Sequence, residues 1–163
     1  MDHTDALREQ LTRLLRGQDA HMDFLDAVAD FPDDALNQRA PNVDSTPWHL
    51  AEHVRITQWD ILEYIRDPSH VSPDWPTGYW PSPDATATPE TFAATIDSFA
   101  RDREALLAIV RDPTVDLLGP MPHAPRHSVA REVRVVADHT AYHTGEFAIL
   151  RQVMGTWPAG REH

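Results

Sequence analysis

Cysteine is absent from the 163 residues, which excludes disulfides, thiolate nucleophiles and cysteine-ligated metals. Lysine is absent too. All fourteen basic side chains are arginine, so Schiff-base chemistry has no amine to start from. Positive charge is scarce overall: 26 acidic residues leave a formal net charge of −12. That balance disfavours nucleic acid, whose binding needs clustered cations, and anionic membrane surfaces for the same reason. No apolar run approaches the roughly 20 residues of a membrane span. The polar opening Met1-Asp2-His3-Thr4-Asp5 does not read as a signal peptide, so a soluble cytoplasmic protein is expected. Any nucleophile must be water, a hydroxyl, a carboxylate or an external cosubstrate.

Helical periodicity dominates what is present. Four segments carry apolar residues spaced by three and four, at about 4–31, 47–66, 89–111 and 128–154. The first is marked by Leu7, Leu11, Leu14, Gln18, Met22 and Leu25, with Pro32 after it. The second and third open on Thr46-Pro47 and Thr88-Pro89, an N-cap followed by proline at the first helical position. The fourth starts at Ser128 and ends at Gly155. No stretch alternates with period two long enough to predict a strand. The expected class is all-α, a four-helix bundle forming one domain over residues 1–163. The proline-rich connection 67–88 is too long for a tight hairpin. A crossover there would leave helices 2 and 3 parallel, in an up-down-down-up order.

Ten histidines in so short a chain are where the remaining chemistry points. His139 and His143 in V-A-D-H-T-A-Y-H-T-G-E-F are one turn apart, about 6 Å along the axis, on a shared face. Two imidazoles so placed can converge on one ion. Upstream, P-W-H-L-A-E-H-V-R carries His49 and His53. One of these with the downstream pair would make the open three-nitrogen site typical of catalytic zinc. His53 neighbours Leu50 and Val54 and is preferred, with His49 the alternative. H-L-A-E-H also spells a metalloprotease pattern with Glu52 as base, but that pattern belongs to far larger chains. His3, His21, His70, His123, His127 and His163 have no partner at ligand spacing and read as structural or exposed. Glu146, three residues beyond His143, is the candidate carboxylate beside the site and equally an ordinary surface acid. Trp75, Tyr79 and Trp80 could roof a cleft or simply cover the core, and Arg103 could meet an anion or a buried acid but reads first as snorkelling at the edge.

Three stretches carry a family resemblance: W-H-L-A-E-H-V-R-I-T-Q-W-D-I-L, D-W-P-T-G-Y-W-P and A-D-H-T-A-Y-H-T-G-E-F-A-I-L-R. Over nearly its whole length the chain resembles the DinB-like (DinB/YfiT) four-helix proteins. The resemblance implies an up-down-down-up bundle, often a homodimer. It implies a divalent metal held by one helix 2 histidine and a His-x-x-x-His pair, which fall on His53, His139 and His143. The extra His49 departs from that pattern. Relatives with known activity include transferases and isomerases that use low-molecular-weight thiols.

The expected function is therefore a metal-dependent enzyme, a small-thiol transferase or hydrolase with a small-molecule substrate. Zinc or nickel is the expected ion, since nitrogen-rich sites take either. A non-catalytic metal-binding or stress-response protein is the first alternative. A helical interaction module with a hydrogen-bonded histidine core is the second.

Overall fold

The computed structural model describes residues 2–160. Five α-helices make up the fold: α1 (His3–Leu15), α2 (Phe24–Val28), α3 (Pro47–Arg66), α4 (Pro89–Arg111) and α5 (Val129–Met154). Short 3-10 turns lie at Asp33–Ala35 and Thr77–Tyr79. No strand occurs among the described residues, so the all-α expectation holds.

The three later helices begin where their caps predict. Thr46 accepts from His49 N–H, Thr88 from Thr91 N–H and Ser128 from Arg131 N–H, each satisfying an otherwise orphaned donor. Gly155 closes α5 at φ 65°, a left-handed conformation that glycine adopts without strain.

The first expected helix is corrected. Instead of running over 4–31, α1 stops at Leu15, and Gly17 takes φ +60°. Gly17 N–H donates to Leu14 O at 3.2 Å and Gln18 N–H to Arg13 O at 3.3 Å, the paired bonds of a Schellman motif. Leu14 consequently lies at the surface, while Phe24 of α2 plugs the bundle. The Phe24 ring meets Phe99 at 4.7 Å and Phe147 at 6.2 Å, both edge-on. Edge-on contact suits aromatic quadrupoles and adds to the burial of the rings.

Contacts between helices fix their directions. Along α3 and α4, Trp48 reaches Thr95 and Gln58 reaches the Phe99 carbonyl, both numbers rising together. These helices are parallel, joined by the long crossover. Arg8 donates to Val110 O while Arg16 pairs with Glu104, so α1 and α4 are antiparallel. His53 faces His139 and His143 while Tyr64 faces His127, so α3 and α5 are antiparallel. The order is up-down-down-up, as the crossover length predicts. Helices α1 and α3 sit at opposite corners, each packed against α4 and α5. Among the described residues, no helix is long and apolar enough to cross a membrane.

Candidate metal centre

The site lies where α3 and α5 face each other beneath the crossover. The Thr46 cap and Pro47 set the rotation of α3 from its first turn, and that rotation turns His53 inward. On α5, His139 and His143 are stacked one turn apart and reach the same point. Their candidate ligand atoms and that of His53 all lie within 4.8 Å of one another. His53 Nε2 and His139 Nε2 stand 3.1 Å apart. His53 and His143 are buried and His139 is half-buried.

What surrounds the rings decides which nitrogens face inward. His53 Nδ1–H donates to the Tyr79 carbonyl at 2.8 Å, leaving Nε2 as the free lone pair. His143 Nδ1–H donates to Glu146 Oε2 at 2.6 Å, with the same consequence. Partners of this kind fix tautomer and ring orientation in metal-ligating histidines. Trp80 lies flat on His53, centroids 3.8 Å apart and planes within 5°, and prevents the ring from swinging out. Tyr142 adds a hydroxyl bond to Glu146, which raises the phenol above its ordinary value of 10.0.

Electrostatics agree with that protonation. Burial pushes His139 down to about 3 from its ordinary 6.5, and neighbouring His143 and His53 deepen the shift. Burial also lowers His53, against the opposing pull of the Tyr79 carbonyl. Both rings are neutral at pH 7, as a ligand must be. Two imidazole nitrogens at 3.1 Å repel unless a proton or a cation lies between them. A divalent ion with metal–nitrogen bonds of about 2.0–2.1 Å spans such an edge. The three histidines could therefore hold a metal ion.

His49 takes no part in this cluster. Its Nδ1 accepts from Thr46 N–H at 3.4 Å, completing a capping box, and its Nε2 donates to Ala85 O at 2.9 Å. Both nitrogens are committed to structure. Glu52, the base of the would-be protease pattern, turns instead to Arg55 and Thr95. Arg103 is buried and pairs with the half-buried Asp23 at 2.6 Å instead of snorkelling at the edge. Trp75 is largely exposed and touches Tyr79, whereas Tyr79 and Trp80 form the roof. His21, His123 and His127 bond Met22 O, Tyr64 O and the Tyr64 hydroxyl, and His3 is exposed. His163 lies outside the described residues.

Sequence reasoning missed the support beneath the roof. Buried Asp60 binds the Tyr79 hydroxyl at 2.7 Å and His70 Nε2 at 2.7 Å, pinning both ends of the loop segment that carries the Tyr79 carbonyl. Burial and this carboxylate push the Tyr79 phenol up to about 12, so it remains a donor. A signal existed: Asp60 is seven residues after His53 and shares its face of α3.

Residues 16–147 match the DinB superfamily, a span that includes α3, α4 and all three clustered histidines. No curated protein and no solved structure matches the chain. With more than half of its length matched and the bundle order and histidine trio in place, the chain belongs to the DinB superfamily.

Proposed function

We propose that this protein is a metal-dependent enzyme that transfers a small thiol to an electrophile or hydrolyses a small substrate. His53, His139 and His143 are the ligands in this reading, and zinc or nickel is the ion. The observation that carries it is the convergence of inward nitrogens whose ring partners, the Tyr79 carbonyl and Glu146, hold the outward N–H groups of His53 and His143. A divalent ion held by three neutral imidazoles would keep its full charge and an open position, supplying Lewis acidity and easing ionisation of a thiol or water near neutral pH.

The protein's own groups have distinct tasks. His53 and His143 present Nε2 and are locked in that tautomer. Glu146, bonded through Oε2 to His143 Nδ1–H and partly exposed, has a second carboxylate oxygen that can take a proton from an incoming thiol or water. Trp80 and the Tyr79 segment exclude water from the His53 side. With no cysteine or lysine in the chain, the nucleophile comes from solution. The same reading takes residues 1–163 as one domain, cytoplasmic, a homodimer through helix faces, and not a nucleic-acid binder, consistent with a net charge of −12.

The test compares metal-loaded and chelated protein across several cellular thiols with an epoxide and a chlorinated aromatic, and on simple esters and amides. Turnover that disappears in His139→Ala is expected. Bound metal without turnover on any pair would make the protein a metal binder. Absence of both would leave the histidines as a hydrogen-bonded core of an interaction module.

A further inference from the structure

Next to the histidine cluster, α5 carries an apolar face into open space. Ile149 and Val153 on this face are 60% and 59% exposed. Between it and the segment around Val43, with Leu50 of α3 at the back, lies a cavity of about 490 Å³. That volume falls within the roughly 300–1,000 Å³ of small-molecule sites. Its walls are mainly aliphatic, and its polar side chains are Ser45 and Glu146. Glu146 is the carboxylate that holds His143 Nδ1–H at 2.6 Å, so one wall residue of the cavity touches the histidine cluster.

Gly145 is the second observation. Glycine weakens a helix interior relative to alanine, so its presence needs a reason. Its φ is not positive, unlike that of Gly17 or Gly155. Nor does close packing demand it, because a Cβ at 145 would meet no atom within 4 Å. Gly145 does line the cavity, and a side chain there would occupy it.

We propose that this cavity is a substrate subsite for a small neutral molecule with an apolar body, its polar reacting end at Glu146 and toward the histidines. The inference rests on the functional reading above and adds the substrate class. Charge argues against an anion, because the cavity's one ionisable lining group is acidic and the whole chain stands at −12; against a cation stand the mainly aliphatic walls, whose one carboxylate already holds His143 Nδ1–H. A second copy is the competing occupant, and the oligomeric state of the Gly145→Leu variant separates the two.

The test uses the neutral fluorophore N-phenyl-1-naphthylamine with full-length protein, metal-loaded and chelated. Wild-type protein should bind one probe per chain in both states. Gly145→Leu should bind at least about tenfold more weakly, a loss of the size that filling a pocket brings. Its metal content and oligomeric state should be unchanged. Ile149→Gln, an exposed change one turn along the same α5 wall, should weaken binding in the same direction and provides the reading if Gly145→Leu folds poorly. Equal probe affinity in all three proteins would overturn the subsite. Conversion of an oligomer to a monomer by Gly145→Leu would also overturn it, by assigning the face to a second copy. Metal content is measured on the same samples, so an empty histidine site would fail the functional reading while leaving the cavity result legible.

Discussion

His49 and His53 sit one turn apart on the same helix, and their surroundings divide their tasks. His49 replaces the usual glutamate or glutamine of a capping box, with both ring nitrogens bonded to backbone. His53 bonds backbone with one nitrogen and leaves the other facing His139. His49→Ala should therefore cost about 2 kcal/mol, as buried Thr46 N–H and Ala85 O lose partners, while bound metal is retained. Denaturant unfolding with metal analysis of the same sample checks both; metal lost with His49 would move the site. His139 carries a pH signature of its own. Its folded value of about 3 lies below the ordinary 6.5, so the unfolded chain binds more protons between those limits. The contribution is fully present above 6.5 and is lost as pH falls toward 3. In chelated protein the denaturation midpoint should fall between about pH 7 and about pH 5, and fall less in His139→Gln. Equal slopes in the two proteins would contradict a buried neutral imidazole.

At the scale of elements, the crossover between α3 and α4 matters beyond connecting parallel helices. It delivers the Tyr79 carbonyl and the Trp80 ring to His53, and Asp60 holds it down through Tyr79 and His70. Asp60→Asn weakens both anchors without changing helix content. Metal affinity should drop about tenfold, at the lower end for partners outside the ligand shell. Competition with a chromogenic chelator measures this, and unchanged affinity would show that the loop needs no anchor. Much of this arrangement was legible beforehand. Caps at Thr46, Thr88 and Ser128 located three helices, because a cap is a local bond whose partners are three residues apart. The i, i+4 pair on α5 and the inward His53 were legible for the same reason. The break in the first helix was missed because Gln18, Met22 and Leu25 continue the period past Gly17, whose left-handed φ ends α1. The Tyr79 carbonyl could not be read, since every residue has one and only the folded loop selects it.

For the molecule as a whole, a bundle with −12 net charge carries a compact cluster of three histidines on two antiparallel helices. The fold supplies this by topology: the long crossover makes α3 antiparallel to α5 and closes over their contact. An ion bound only by that folded arrangement stabilises it by about 2.7 kcal/mol at a hundredfold excess over Kd. The most direct test of the central claim is metal analysis of protein purified without an affinity tag and reloaded with zinc or nickel, for wild type and His143→Ala. One ion per chain in the wild type, lost in His143→Ala while the helical spectrum is kept, is the expected result. Full retention in His143→Ala, or no stoichiometric binding by the wild type, would contradict a metal centre at His53, His139 and His143.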